Sequence, residues 1–331
     1  MKINNKTKKQ HFVPKFYLHQ FTQGDKLQVL NVKNKRMAKE RHISAVGYKP
    51  YFYAERTGVA DEISQHIENW LHEYENIISN DLPKIIDTIL NYKQITSDEK
   101  YVLSALMSML WLRNPVMRKR LNKMQEDMTK QMMKFYTKER VDSYVREKGK
   151  QLTDDERHKI IKTFRSGSYD LKFSNASHLK FMTESFGFGN PGFTNMFYGQ
   201  KWKIYIAKGN KRFVTSDNPI VEWWPPPETL YGTSFLERRK YFALTPEIMF
   251  ELTYPKGSTK AKRKTIFNDE DDTVGLFNIL LAAHAHEFAY SHDKSLLENI
   301  LNGYSKPGYL EVAYYKQFEL PWMEARKRGR V

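Results

Sequence analysis

The segment from Thr96 to Arg113 limits the fold more than any other stretch. Thr96-Ser97-Asp98-Glu99 is a capping box, in which the Thr hydroxyl and the Glu carboxylate each satisfy an orphan N–H of a helix start. The helix it opens is apolar nearly all round, with Tyr101, Val102, Leu103, Leu106, Met109, Leu110, Trp111 and Leu112. Such a helix must be enclosed on every side. It is too short to cross a bilayer, so a folded core has to surround it. It runs out at Arg113-Asn114-Pro115. The guanidinium there either complements the helix dipole or stands at the rim of the core as a phosphate-binding group. The sequence leaves both readings open.

A chain of 331 residues, 40% apolar and 14% aromatic, has ample material for that core. The apolar period changes along it. Leu27–Val32 alternates as a strand, Lys35-Arg36 is a hairpin tip, and a returning strand is expected near Met37–Ile43. Val46–Ala54 reads as an irregular aromatic segment. From residue 59 the period is helical, with Ile63, Ile67, Trp70, Leu71, Tyr74, Ile77 and Ile78 on one stripe, and Pro83 ends or kinks that helix. Met117, Leu121, Met124, Met128, Met132 and Phe135 mark a long amphipathic helix over 116–148, roughly 50 Å in length. A second capping box, Thr153-Asp154-Asp155-Glu156, opens another helix. Gly-rich Ser174–Phe197 ends the helical block. Trp202–Ile206 and Arg212–Thr215 read as a hairpin around Gly209-Asn210, and Tyr241–Leu244, Ile248–Leu252 and Phe288–Ser291 as further strands. The expected fold is α+β. It is one domain over 1–331 with a single mixed or antiparallel sheet built from both ends of the chain, 1–58 and 198–331, and a long helical insertion, 59–197.

The composition removes several function classes. There is no cysteine, so disulfides, thiolate catalysis and cysteine zinc sites are excluded. Met1–Gln10 has no apolar core of a secretory signal, and the expected location is the cytoplasm, without membrane binding. No phosphate-binding Gly-rich Lys loop, nucleophile elbow or dinucleotide fingerprint is present. The net charge is +16, with 54 Lys and Arg against 38 Asp and Glu. It favours a polyanionic partner, nucleic acid and RNA first, with a lysine-rich solvated surface as the alternative. Residues 113–165 hold about half of that charge.

Polar residues at strand and helix ends are the candidate site. Phe213-Val214 lead into Ser216-Asp217-Asn218-Pro219, where Asn-Pro forces a turn. That knot is either a place for chemistry or an Asx-turn in which Asp217 bonds backbone. His11 stands just before a short aromatic helix bearing Tyr17, Leu18 and Phe21. Glu62, His66, Asn69 and Glu73 form a polar helix face. Asp269–Asp272 sits at a helix start, where acids need no metal. His284, His286 and His292 with Glu287 look like metal ligands, but a strand would point Glu287 away from the histidines. No metal and no cofactor is therefore expected.

Gln10-His-Phe-Val-Pro-Lys-Phe-Tyr-Leu18, Glu62 with Ile67-Glu68, Arg113-x-Pro115, Thr215-Ser-Asp-Asn-Pro-Ile220 and Leu244-Thr-Pro246 together resemble domain-of-unknown-function family 4238. The resemblance covers essentially the whole chain and brings no reaction with it. Proteins similar to that family are bacterial and phage-associated, which implies a cytoplasmic defence or toxin role. Its boxes hold His11, Tyr17, Glu62, Glu68, Arg113, Ser216, Asp217 and Asn218. The leading expectation is a metal-independent ribonuclease or related phosphoryl-transfer toxin. His11 would be the general base, Asp217 its orienting partner and Arg113 the phosphate holder, with Tyr17, Glu62, Glu68, Ser216 and Asn218 in binding roles. The competing expectation is a non-catalytic binding or partner-sensing protein, docking a partner or a second copy through helix 116–148.

Overall fold

The computed structural model describes residues 8–56, 63–171, 173–185, 191–223, 239–253, 262–266 and 273–303. These fall into two compact units. One joins 1–116 with 181–331, and the other is 117–180.

In the first unit the N-terminal part contributes β1 (Lys9–His11), α1 (Lys15–His19), β2 (Lys26–Asn31), β3 (Arg36–His42), β4 (Tyr48–Pro50), β5 (Glu55–Arg56) and β6 (Ile63–Ser64). Two long helices follow, α2 (His66–Leu90) and α3 (Ser97–Leu112). The capping box at Thr96 and Glu99 is formed, and Leu103, Leu106, Leu110 and Leu112 are all fully enclosed, as an all-apolar helix requires. Pro83 does not end α2. Leu82, Ile85 and Ile89 around it are buried, and their burial, about 1.5–3 kcal/mol each, outweighs one missing hydrogen bond. The helical stripe also starts later than residue 59, because Ile63–Ser64 pairs with Glu55–Arg56.

The second unit is helical, with α4 (Pro115–Met133, beginning at the end of the first unit), α5 (Lys138–Glu147), α6 (Asp154–Ser166) and α7 (Ala176–Ser185, ending beyond it). The single helix expected over 116–148 is two. The Thr137 hydroxyl accepts from the Arg140 N–H and starts α5 afresh, so a local cap interrupts the continuous pattern. The second capping box, at Thr153 and Glu156, is formed and opens α6, which closes on left-handed Gly167.

The C-terminal part returns to the first unit with α8 (Gly192–Gly199), β7 (Lys201–Ala207), β8 (Thr215–Ser216), β9 (Ile220–Trp223), β10 (Arg239–Ala243), β11 (Ile248–Thr253), β12 (Lys262–Ile266), α9 (Thr273–Ala283), β13 (Phe288–Ser291) and α10 (Lys294–Gly303). The Gly-rich stretch 174–197 thus carries α7 and most of α8 among its described residues.

The fold is α+β, but its strands do not form one sheet. A five-stranded sheet runs β12-β7-β11-β10-β9, antiparallel except for the β12–β7 pair. A separate four-stranded antiparallel sheet runs β3-β2-β13-β8 and is the one that takes strands from both ends of the chain. β1 pairs with β4 apart from both. The reason lies in Arg212–Thr215, expected to return along β7. Asn278 on α9 takes its backbone instead, accepting from the Val214 N–H at 2.9 Å and donating to the Arg212 carbonyl at 2.8 Å. The strand therefore leaves β7, and Thr215–Ser216 pairs with β13. Tyr17 spans the gap, its hydroxyl lying 2.6 Å from Thr215 Oγ1 of one sheet and donating to the Ala243 carbonyl of the other at 2.7 Å.

Candidate functional site

Three chain segments meet at the end of α3. Arg113 is its C-cap and is 1% exposed. Nη1 donates to Glu75 Oε1 at 2.5 Å, Nε donates to the Tyr53 hydroxyl at 3.1 Å, and Nη2 donates to the His11 carbonyl. The Tyr53 hydroxyl in turn donates to the Arg113 carbonyl at 2.9 Å, and the guanidinium lies 5.5 Å from the centre of the Tyr53 ring. Burial opposes the charge, but Tyr53 and Glu75 more than restore it, so the guanidinium is held above its usual range. Every face of this group is committed to protein. It clamps the backbone before the aromatic helix; no phosphate contact is needed to explain it.

The neighbouring Asn114 turns the other way. Its Oδ1 accepts from the Val116 N–H at 2.8 Å, opening α4, and its Nδ2 donates to Asn218 Oδ1 at 2.8 Å. Asn218 Nδ2 then donates to the His284 carbonyl at 2.8 Å. Ser216 Oγ donates to the Asn218 carbonyl and accepts from the Asn218 N–H, closing the turn on itself. The Asp217 carboxylate accepts three backbone N–H groups, from His286 at 2.7 Å, Glu287 at 2.9 Å and Phe288 at 3.1 Å. Burial raises its pKa to about 7, while those N–H groups and the Glu287 charge pull in opposite directions. Asp217 is thus the socket for the loop between α9 and β13. No hydrogen bond or ion pair among the described residues joins it to His11.

His11 is built differently. β1 ends on it, and the N–H groups of Phe12 and Val13 both bind the Gly47 carbonyl, at 2.8 and 3.1 Å. Gly47 has φ 62°, and a Cβ there would sit 3.0 Å from Val13 Cβ, so only glycine fits without strain. The His11 ring is 9% exposed, tilted against Tyr48 at 5.6 Å, and its Nε2 is buried without a hydrogen-bond partner. Burial, then the Lys15 and Arg113 charges, lower its pKa to about 4, against a hydrogen bond to the Ile43 backbone. It is neutral at neutral pH, with a free ring nitrogen.

Glu68, in the first turn of α2, is the second group of this kind. Its Oε2 is buried with no partner. Burial, with Glu75, raises its pKa against the pull of Arg113, His72 and Lys15. His11 and Glu68 therefore feel the same two cations, the buried Arg113 and the exposed Lys15, and each keeps one atom free. The structure joins Arg113 to the His11 backbone, the Arg113 charge acts on both His11 and Glu68, and the next residue, Asn114, reaches Asn218. Tyr17 and Ser216 serve packing and the turn, Asp217 faces the α9–β13 loop, and Glu62 lies outside the described residues. Asp269–Asp272 do too. His284 is buried with Nδ1 2.9 Å from the Leu280 carbonyl, and among the described residues no group of three acidic or His side chains could hold a metal ion. Sequence reasoning missed Glu75, Tyr53 and Lys15. The available signal was the spacing of Glu68, His72 and Glu75, four and three apart on one side of α2.

A family model described as "Protein of unknown function (DUF4238)" matches residues 9–295. No curated protein and no solved structure matches the chain significantly.

Proposed function

Because the chain belongs to the DUF4238 family, whose function is unknown, its activity has to be argued from its own side chains, and we propose a nucleic-acid-directed acid–base enzyme, in its simplest form a metal-independent ribonuclease. The observation that carries this is a pair of unpartnered buried atoms, His11 Nε2 and Glu68 Oε2, on two groups that both feel the charge of one clamped arginine. Buried polar atoms are almost always bonded, and unpaired ones collect where a ligand completes the set. In this reading neutral His11 removes the proton from a ribose 2′-hydroxyl. That oxygen attacks phosphorus as the bond to the 5′ oxygen breaks, and Glu68, whose protonated form burial favours, gives its proton to the leaving oxygen. Lys15 offsets charge on the non-bridging oxygens. Arg113 acts as a positioning residue through the His11 carbonyl, and Asp217 through the 286–288 backbone. The net charge of +16 supplies the attraction to a polyanion.

The test incubates purified protein, with chelator, with RNA and DNA oligonucleotides. RNA cleavage to cyclic phosphate ends, lost by at least 100-fold in His11→Ala and in Glu68→Gln, is expected. Intact RNA under all conditions would overturn the reading. A second reading, a non-catalytic basic binding or partner-sensing protein, is favoured by the self-satisfied Ser216–Asn218 knot. Growth arrest on expression in a bacterial host separates the two: the enzyme reading requires that it vanish in folded His11→Ala.

A further inference from the structure

The apolar stripe of α4 changes character along its length. Met117 and Leu121 are buried, whereas Met124 is 51% exposed, Met128 59%, Met132 63% and Phe135 82%. Met124, Met128 and Met132 recur at spacings of four, so they share one face of α4 over two turns, and Phe135 follows in the turn just past the helix end. Exposed apolar side chains in an unbroken row, unlike scattered ones, mark a contact surface. Methionine, aromatic and Arg side chains are the types enriched in protein interfaces, and Met adapts its shape to a partner. Arg120 and Asp127, the latter paired with Lys123, border the row by helical position, and Lys134 stands next to Phe135 just past the helix end. The unit carrying it, residues 117–180, has seventeen Lys and Arg against nine Asp and Glu, a net +8, half of the chain's +16 in a fifth of its length. A second copy would set +8 against +8 across the contact, and bare nucleic acid has no use for a methionine row.

We propose that this face of α4 docks an acidic amphipathic helix of a second protein, with apolar residues against Met124, Met128, Met132 and Phe135 and carboxylates over the flanking cations. The probe is a labelled 28-residue peptide with Leu at heptad positions a and d and Glu at e and g, titrated against the full chain by fluorescence anisotropy. A scrambled peptide of identical composition and the Lys-for-Glu version run beside it. The acidic amphipathic peptide is expected to bind at least tenfold more tightly than both. Met128→Glu, at an exposed position that leaves the fold intact, is expected to weaken it at least tenfold. Equal binding of the scrambled peptide, or an unchanged affinity in Met128→Glu, overturns the proposal. So does a monomer–dimer equilibrium in sedimentation that Met128→Glu abolishes, which would assign the face to a second copy. Binding to vesicles of 70% phosphatidylcholine and 30% phosphatidylglycerol that Met128→Glu removes, with no peptide binding, would assign it to a lipid surface and overturns it too. None of these readouts depends on the His11 site.

Discussion

Replacing Arg113 by Met tests the clamp at the end of α3. The change removes the Arg bonds to Glu75, to the Tyr53 hydroxyl and to the His11 carbonyl. The His11 carbonyl is left buried and unpaired, at about 1–3 kcal/mol. Tyr53 keeps its bond to the residue 113 carbonyl, so its loss is smaller, about 0.5–1 kcal/mol. Glu75 loses its cation, but its side chain is 22% exposed and water takes over part of that role, leaving about 1–2 kcal/mol. Met refills the volume, and the burial penalty of the guanidinium disappears, an offset of about 1 kcal/mol. The net expectation is a destabilisation of about 3–4 kcal/mol, a large share of the ~5–15 kcal/mol of a typical domain. All six Trp residues lie outside 117–180, so urea unfolding followed by Trp fluorescence reports on the first unit alone. Adding Glu75→Met should recover roughly 1–2 kcal/mol, because no buried charge is then left alone. A single variant within 1 kcal/mol of the parent, or a double variant that loses the sum of both effects, refutes the clamp.

Lowering of the His11 pKa to about 4 carries a pH signature. Between pH 6.5 and 4 the unfolded chain takes a proton that the folded one refuses, so stability is fully present above pH 6.5 and falls as pH drops through that window, by about 1–2 kcal/mol after discounting for solvent. His11→Asn should flatten that slope, and NMR titration of the His11 ring should find its midpoint well below 6.5; a midpoint at 6.5 would count against a buried ring. Glu68→Gln should remove activity while raising stability at alkaline pH, because burial there disfavours the ionised form. Unchanged activity would release Glu68 from the acid role. Affinity for RNA should fall by ~10³ between 50 and 200 mM salt if six or more phosphates are neutralised, and a flat response would leave the basic surface merely solvated.

What was legible in the sequence was whatever is encoded locally. Both capping boxes formed because Thr and Glu three residues apart need no distant partner. The all-apolar helix is buried because nothing else can happen to it. The β2–β3 hairpin followed from the alternation of Leu27–Val32 and the turn after it. The break at Thr137 was missed because one hydroxyl on one N–H outweighs a stripe that continues on both sides. The separation into two sheets was missed because it is decided by Asn278, more than sixty residues from the backbone it bonds. For the candidate site, the family boxes named residues without their bonding. His11 and Glu68 keep free atoms, whereas Asp217 and Arg113 are wholly committed. Motif spacing carries no information on whether a side chain's hydrogen bonds are already taken.

The four-stranded sheet also has a consequence during synthesis. Gln28 pairs with Ser291 and Asn31 with Phe288, so β2 must wait for a strand that leaves the ribosome much later. Such long-range pairing folds slowly, because the loop must close before any contact rewards it. Asn218 likewise finds its acceptor only when the His284 carbonyl arrives. A nascent chain that has not yet reached β13 can form α2 and α3 but neither this sheet nor the Asp217 socket. The Asp217 carboxylate is left buried without its three N–H donors until residues 286–288 arrive, whereas the Arg113 clamp on the His11 carbonyl closes within the first 113 residues.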